Sequence, residues 1–296
     1  GNADRLWYPG GLAGTAVADC NDAGACTSVS ITGRLGTDFT AITLPNGTRR
    51  AYFVEISMTP GANTKSVSSA PCLTVACTGV GTSTVAAAAL VVSQNEKAWG
   101  VPDAVVTPDG KVRLYVVESP TLDSNCPEKV ASYTSTDGVS FVKDAGYRFS
   151  KDGYVDTEIL RATTGSWLMI MADGPGCGNT QELYMSDSTD GLTWSNPVAI
   201  TGSDKSRLDP TGYETSPGSN VFKVYFATSG GRQDMNFTIG SGTLKVAAAS
   251  SSATATATAK AGAACTKAGA KASVTVAKKK TTLTCKTVKK KLVWSK

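Results

Sequence analysis

A repeated pattern constrains the fold of this chain more than any other feature of its sequence. Residues 38–47, 101–110, 156–165 and 209–218 align with one another, and their starts lie 63, 55 and 53 residues apart. Each segment ends in a glycine-containing turn and is followed by an apolar strand rich in aromatic residues. Because two strands flank one short turn, we expect every unit to open with a β-hairpin.

Two of the four units carry a further strand that ends in a second turn. Ser-Thr-Asp-Gly occurs at residues 135–138 and 188–191, and Phe141 or Trp194 follows three residues later. In such a turn the Asp side chain bonds the local backbone and glycine supplies a positive φ, while the aromatic ring packs between sheets. A hairpin, a third strand and an aromatic turn at a spacing near fifty are typical of a β-propeller blade. We therefore predict an all-β fold, a β-propeller with five blades preferred and four possible.

Only four repeats are visible, so a fifth blade requires residues outside them. We expect residues 1–37 and the segment after Gly230 to build it together, with the two ends of the propeller sharing one sheet. Trp7 and Tyr8 would then close this last blade, although they could also stack against a sugar.

The end of the chain differs in composition from the rest. Residues 247–263 are mostly alanine, serine and threonine, which predicts a flexible linker. Residues 264–296 contain Cys265, Cys285 and alternating apolar residues, which predict a small β module held by one disulfide. The predicted domains are thus a propeller at 1–246, a linker at 247–263 and a basic module at 264–296.

Charge is divided unevenly between these parts. Eleven of the 29 basic residues lie in 247–296, which has no acidic residue, so 1–246 hold 18 basic and all 24 acidic residues. An acidic body argues against a nucleic-acid partner, because phosphate binding needs a positive face. The basic end is suited to an anionic cell-wall polymer, or is a solvated tail without a partner. No apolar run approaches the roughly 18 residues of a membrane-spanning helix.

The cysteine and histidine content limits which covalent links, catalytic systems and metal sites the chain can form. Eight cysteines without metal-binding spacing predict disulfides in an oxidising compartment, paired Cys20–Cys26, Cys72–Cys77, Cys126–Cys177 and Cys265–Cys285. We expect a mature secreted or cell-surface chain whose leader has been removed. The absence of histidine excludes Ser-His-Asp systems and His-ligated metals. We predict no cofactor and no metal site.

Three of the four repeats begin with an aspartate, Asp38, Asp156 or Asp209. The innermost strands of a propeller surround its axis, so these carboxylates would converge near one mouth of the central channel. Carboxylates held together raise one another's pKa, which can separate a general acid from a general base. Alternatively, each aspartate only ties down a turn of its blade.

These features resemble the five-bladed propeller glycoside hydrolases, most closely families 43 and 32, over roughly residues 30–246. Trp99-Gly-Val-Pro-Asp103 is similar to the Trp-Ala-Pro-Asp motif of that group, and Val155-Asp156-Thr-Glu158 is similar to its Ile-Asp-Pro motif. The Ser-Thr-Asp-Gly-Leu-Thr-Trp turn is shared as well. The C-terminal module is similar to a short module of secreted actinobacterial proteins.

The resemblance implies roles for particular carboxylates. Asp38 takes the position of the general base, and Asp156 that of the residue that tunes the pKa and orients the sugar. Asp209-Pro210 stands where the family has Glu-Gly-Pro, so the acid would be one methylene shorter. Glu158 and Glu214 are alternative acids.

Sugar binding requires flat aromatic faces and hydrogen-bonding partners around the acids. The candidates for substrate binding are Trp99, Asp103, Arg161, Arg207 and Tyr213. The sequence therefore predicts a secreted glycoside hydrolase-like propeller that acts on or binds extracellular glycans through carboxylate chemistry. The alternative is a non-catalytic cell-surface propeller with a structural or glycan-binding role.

Overall fold

The computed structural model describes residues 4–9, 14–21, 25–32, 35–57, 59, 61–93, 100–119, 125–178, 180–231, 234, 236–246, 271–276, 279–288 and 291–295. The chain divides into two compact units, Gly1–Val246 and Ala247–Lys296. Within the described residues the regular structure is β, apart from one 3-10 turn at Ala88–Leu90. The all-β prediction is confirmed.

Five antiparallel sheets form the described part of the first unit, and we number them as blades 1 to 5 in chain order. Blade 1 consists of β1 (Asp4–Pro9), β2 (Thr15–Cys20) and β3 (Cys26–Ser28). Blade 2 consists of β4 (Thr37–Thr43), β5 (Arg49–Ile56), β6 (Thr64–Pro71), β7 (Thr84–Val85) and β8 (Val91–Ser93). Blade 3 consists of β9 (Gly100–Val106), β10 (Val112–Glu118), β11 (Lys129–Ser135) and β12 (Val142–Lys143). Blade 4 consists of β13 (Tyr154–Arg161), β14 (Trp167–Asp173), β15 (Leu183–Ser188) and β16 (Val198–Ala199), and blade 5 of β17 (Ser206–Glu214), β18 (Val221–Ser229) and β19 (Thr238–Lys245).

The blades follow one another around an axis. Their innermost strands β1, β4, β9, β13 and β17 adjoin in that order. Apolar side chains fill the spaces between blades, for example Tyr52 with Leu114 between blades 2 and 3 and Tyr115 with Trp167 between blades 3 and 4. Each sheet thus buries its faces against its neighbours, which is how a propeller forms one core from small sheets. The fold is a five-bladed β-propeller.

The two Ser-Thr-Asp-Gly turns fasten neighbouring blades. Asp137 accepts hydrogen bonds from the backbone N–H groups of Val139 and Ser140 at 2.8 and 3.0 Å, which closes the turn in blade 3. The hydroxyl of Tyr52 in blade 2 donates to the carbonyl of Gly138 in this turn at 2.8 Å. The turn in blade 4 is bound in the same way by Tyr115, whose hydroxyl donates to the Gly191 carbonyl.

The prediction of which residues build the fifth blade was wrong. Residues 4–28 form blade 1 alone, and the segment after Gly230 contributes β19 to blade 5. The reason is local pairing. Gly14, at φ +87°, precedes β2 and so allows β1 and β2 to form an antiparallel pair, while β19 pairs with β18 from Thr228–Thr238 to Val221–Lys245.

Side chains close the ring between blades 1 and 5. Asp4 of β1 accepts hydrogen bonds from the Tyr213 hydroxyl at 3.0 Å, from Lys223 Nζ at 2.9 Å and from the Tyr225 hydroxyl. Leu6 packs beside Tyr225 in a buried apolar cluster under this contact. Burial acts to raise the pKa of Asp4, but these hydrogen bonds together hold that pKa below its ordinary value.

Three predicted disulfides are present, Cys20–Cys26, Cys72–Cys77 and Cys126–Cys177. The first two close short turns, whereas the third joins the segment before β11 to the glycine-rich segment after β14, and so links blades 3 and 4. Cys285 is disulfide-bonded, and its predicted partner Cys265 lies outside the described residues.

The described residues of the second unit form one antiparallel sheet, with β20 (Lys271–Val276), β21 (Lys279–Val288) and β22 (Lys291–Ser295) in that order. Leu283 and Cys285 are buried, whereas Thr282 and Lys286 are exposed, so alternate residues of β21 differ in exposure. The predicted linker at 247–263 lies outside the described residues. In the portion of the chain that the structure describes, no helix has the length and apolar character needed to cross a membrane.

Candidate functional site

A β-bulge interrupts the innermost strand at the start of each repeat. The register shifts at this point in β4, β9, β13 and β17. The aligned residues there have left-handed backbone, with φ of +51° at Asp38, +45° at Val101, +53° at Asp156 and +49° at Asp209. Bulges redirect side chains. Aspartate tolerates a left-handed φ, whereas for the β-branched Val101 it is a strained conformation.

These four residues line one cavity of about 270 Å³ at the propeller axis. Five carboxylate side chains contribute to its wall: Asp38, Asp103, Asp156, Glu158 and Asp209. The four residues predicted to be catalytic and one predicted to bind substrate are therefore brought together from blades 2 to 5.

Three of the cavity acids, Asp38, Asp156 and Asp209, lie at the bulges. Asp38 is half-buried and accepts a hydrogen bond from the backbone N–H of Val101 in the next blade. Asp156 is buried and accepts from the backbone N–H of Asp209 in the next blade at 3.3 Å. The side chain of Asp209 is exposed to the open cavity, and no hydrogen bond to it is present within the described residues.

A second pair of carboxylates lies two residues further along the repeats. Asp103 accepts from the Thr40 hydroxyl at 3.1 Å and from the backbone N–H of Ile159 at 2.7 Å. Glu158 accepts from the Thr211 hydroxyl at 3.2 Å. Each of these contacts crosses to a neighbouring blade, so Asp103 and Glu158 also connect the innermost strands.

The protein environment favours the neutral forms of these acids. Desolvation inside the cavity, and next the negative charge of Asp38, raise the pKa of Asp209 to about 6. Burial and the charge of Asp209 raise the pKa of Asp156 well above its ordinary value. Burial also raises the pKa of Asp38, against the hydrogen bond from Val101. Burial raises the pKa of Asp103 to about 6, and burial followed by the charge of Asp103 raises the pKa of Glu158 well above its usual range.

Aromatic residues line the side of the cavity formed by blades 1 and 2. Trp7, Tyr8 and Phe39 are on its wall. Trp7 stacks on Phe39 with ring centroids 6.0 Å apart and an interplanar angle of 22°. Trp7 thus joins blade 1 to blade 2 and also lines the cavity that holds the acids. Phe39 was not among the sequence candidates, although its position next to Asp38 was a usable signal.

Three residues predicted to bind substrate do not line this cavity. The Arg161 guanidinium stacks over the Trp167 ring at 4.4 Å from its centroid. Arg207 pairs with Asp204, with Nη1 at 2.9 Å from Oδ1. Tyr213 is in the closing contact with Asp4 described above. Sequence position placed these residues near the repeat starts but did not reveal that their side chains point to other partners.

The remaining candidates differ in what the structure describes. Glu214 accepts from the hydroxyl and backbone N–H of Thr163, and hydrogen bonds led by that hydroxyl lower its pKa to about 2. Glu214 does not line the cavity, so it is poorly placed to donate a proton there. Trp99 lies outside the described residues.

Several proteins of known structure that share this fold are named as glycan-acting enzymes. An endo-arabinase from Bacteroides thetaiotaomicron superimposes with a TM-score of 0.56 and 9% identity, covering 83% of this chain and 90% of that one. A Bifidobacterium bifidum S17 protein assigned as an exo-β-1,3-galactanase gives 0.55 and 16%, covering 84% and 86%. A Penicillium chrysogenum α-L-arabinanase, solved with arabinobiose, gives 0.50 and 12%, covering 73% and 69%. No protein-family model and no curated protein sequence matches this chain. The propeller is therefore glycoside hydrolase-like in its fold.

Proposed function

We propose that this protein hydrolyses glycosidic bonds in the axial cavity of its propeller. The observation that carries the proposal is the convergence of Asp38, Asp156 and Asp209 from three blades in one cavity, with raised pKa values and an aromatic wall beside them. Paired acids of different protonation state and flat aromatic faces are what glycoside hydrolysis requires. The glycan-acting neighbours with this fold support the same class of substrate.

Two carboxylates suit the two proton transfers. Asp209 is the general acid, because a pKa of about 6 keeps part of it protonated in mildly acidic solution and its side chain is open to the cavity. Asp38 is the general base, because the Val101 N–H stabilises its ionised form. Asp156 lies close enough to both for their charges to raise its pKa, and it orients the sugar. Glu158 is the alternative acid, but a hydrogen bond from Thr211 already engages it.

The reaction proceeds by inversion if a water fits between the base and the sugar. Asp38 removes a proton from this water, whose oxygen attacks the anomeric carbon, while Asp209 protonates the departing glycosidic oxygen. The C–O bond to the water oxygen forms as the glycosidic C–O bond breaks. Afterwards Asp38 releases its proton to solvent and Asp209 takes one up from solvent. This geometry needs the acid and base roughly 6.5–9.5 Å apart. Membership of families 43 or 32 is part of the proposal.

Sugar release from a panel of polysaccharides tests the function. Arabinan and β-1,3-galactan come first, followed by other plant, algal and microbial polymers. We expect release by the wild type and a loss of about 10³-fold or more in Asp38→Asn, because asparagine cannot accept the proton from water. Asp109→Asn, on an exposed hairpin turn of blade 3, is the matched control and should keep full activity. No release from any polymer would contradict the proposal.

Glycan binding without hydrolysis is the second candidate. The observation favouring it is that Asp38, Asp103, Asp156 and Glu158 all accept hydrogen bonds from the next blade, so each has a structural role without catalysis. The shorter acid at Asp209 favours it as well. Binding of a polymer that the wild type does not cleave would support this candidate.

We also propose that the protein works outside a bacterial cell, at its surface, and that the second unit binds an anionic wall polymer. Disulfides support an extracellular setting. Eleven lysines without an acidic residue in 247–296 support the anionic partner. The full chain should sediment with anionic cell-wall polymer at low salt and be released by about 0.5 M salt, because screening weakens exposed charges. Equal binding to a neutral polymer, or none at low salt, would contradict this proposal.

A further inference from the structure

The cavity wall contains one basic side chain that the proposed reaction does not use. Among the described residues that line the cavity, Arg5 is the one lysine or arginine, and it faces a wall with five carboxylates. Arg5 belongs to β1, so it approaches from blade 1, which contributes none of the acids. Its sequence context gave no signal, because residues 1–37 contain no copy of the repeat.

Arg5 is held in a fixed orientation by a residue directly across the sheet. Arg5 of β1 and Asp19 of β2 are register partners. The Arg5 Nε and Nη2 atoms donate to Asp19 Oδ1 and Oδ2, each at 2.7 Å, which is a two-pronged guanidinium–carboxylate pair. Such a pair fixes the plane of the guanidinium more strictly than a lysine contact would. Cys20, next to Asp19, is bonded to Cys26 and so ties this part of β2 to β3.

The pair leaves donors of Arg5 available. Neither N–H of Nη1 is used by a hydrogen bond within the described residues, and one N–H of Nη2 also remains. The side chains of Arg5 and Asp19 are 29% and 33% exposed. An ion pair with that much solvent contact contributes little to stability, so stability alone is a weak reason for this arrangement.

We infer that Arg5 is a substrate-positioning residue, which donates hydrogen bonds from Nη1 to oxygen atoms of the sugar bound beside the acids. The inference rests on the proposed function. The acids of the cavity accept hydrogen bonds from sugar hydroxyls when they are ionised, whereas the ring oxygen and hydroxyl lone pairs of the sugar need donors. Arg5 supplies them from the blade 1 side, and Asp19 acts through Arg5 by fixing its orientation.

Binding is measured separately from hydrolysis to test this role. Arabinotriose and β-1,3-galactobiose are titrated calorimetrically into the full chain carrying Asp209→Asn, and the same titrations follow with Arg5→Gln, Arg5→Lys or Asp19→Asn added. We expect Arg5→Gln to weaken the binding of one of these sugars about 10- to 100-fold, the usual effect of losing hydrogen bonds from a charged donor. Arg5→Lys keeps the positive charge but not the planar guanidinium with its several N–H donors. It should recover less than half of the lost affinity on a logarithmic scale. Asp19→Asn retains Arg5 and should weaken binding about 3- to 10-fold.

The control is Arg50→Gln, which removes an arginine that bonds Ser69 in blade 2 and does not line the cavity. It should leave affinity unchanged. In enzymes with Asp209 intact, Arg5→Gln should raise KM more than it lowers kcat. Thermal unfolding of each variant separates loss of binding from loss of fold, and Asp19→Asn still tests the role if Arg5→Gln does not fold.

The outcomes separate this inference from the proposed function. Binding that depends on Arg5 without any hydrolysis supports the positioning role and overturns hydrolysis. Affinity that Arg5→Gln and Asp19→Asn leave unchanged in folded protein overturns the positioning role alone, as does an equal loss in Arg50→Gln. The absence of binding of either sugar by a folded protein overturns it as well.

Discussion

Replacing Asp209 by asparagine should abolish most hydrolysis and at the same time stabilise the protein at pH 7.5. We expect kcat to fall by about 10²–10⁴, the usual contribution of a general acid. The unfolding temperature should rise by about 2–4 °C, which corresponds to about 1 kcal/mol in a domain of this size. A gain of stability with a loss of activity is the pattern of a residue whose environment serves function rather than folding.

The stabilising part follows from the electrostatics of the cavity. Desolvation inside the cavity and the charge of Asp38 raise the pKa of Asp209 to about 6, so the ionised carboxylate is unfavourable in the folded state at pH 7.5. A shift of that size would correspond to about 3 kcal/mol, but the exposure of this side chain to cavity water reduces the gain we expect. Asparagine has nearly the same shape without the charge.

Asp204→Asn provides the matched control for this substitution. Asp204 lies five residues earlier, is exposed and pairs with Arg207, and the hydrogen bond from Arg207 lowers its pKa. Its replacement should leave kcat unchanged and should not raise the unfolding temperature. Steady-state kinetics and thermal unfolding at pH 7.5 measure both effects. Full activity in Asp209→Asn would contradict the acid role of Asp209 and would transfer that role to Glu158.

The free energy of unfolding should decrease as pH rises from 5 to 8. In an unfolded chain the pKa values of the cavity acids lie near 4. In the folded protein the pKa values of Asp103 and Asp209 are about 6, and those of Asp156 and Glu158 are well above their ordinary values. Between these values the folded state binds more protons than the unfolded state. The resulting stabilisation is fully present below about pH 4 and is lost as pH rises through 6.

The size of this effect is several kcal/mol. The well-buried Asp103 alone contributes about 3 kcal/mol over its whole titration, reckoned at about 1.4 kcal/mol for each unit of pKa, and about half of this is lost between pH 5 and 8. Groups with lowered pKa, such as Asp4 and Asp137, lose their contribution only at lower pH, so they do not obscure the range from 5 to 8. Guanidinium unfolding at half-unit steps of pH measures the slope.

A comparison of variants assigns the slope to the cavity. Asp209→Asn and Asp156→Asn should each flatten it, whereas Asp204→Asn should leave it as in the wild type. A free energy of unfolding that is constant or increases from pH 5 to 8 would contradict the raised pKa values. It would also remove the argument that the acid is protonated near pH 6.

Much of this architecture was predictable because propeller blades repeat. The four aligned segments predicted the inner hairpins, and the Ser-Thr-Asp-Gly turns predicted which aromatic residues pack between blades. The same alignment predicted that Asp38, Asp156 and Asp209 share one position, although a repeat position does not reveal the bulge that turns all three toward one cavity.

The partners of individual side chains and the place of blade 1 in the ring could not be read from the sequence, because they depend on contacts between residues far apart in the chain. Arg161 and Tyr213 were sound candidates by type, but Trp167 and Asp4 compete for them in the folded state. Residues 1–37 were predicted to share a blade with the segment after Gly230, and not to form blade 1 alone, because they contain no copy of the repeat. The contribution of blade 1 to the cavity through Trp7 and Arg5 comes from its place in the ring, which only the fold determines.

The contact that closes the ring has a consequence for the order of folding. Asp4 and Lys223 are 219 residues apart, so the first blade to leave the ribosome meets its second neighbour only after the last blade exists. Each hairpin can form from near contacts, but joining the ends of so long a loop costs entropy that no local pairing offsets. We therefore expect docking of blade 1 on blade 5 to be the last step of assembly. Until it occurs, the acids of blades 2 to 5 lie in a ring that is still open between blades 1 and 5.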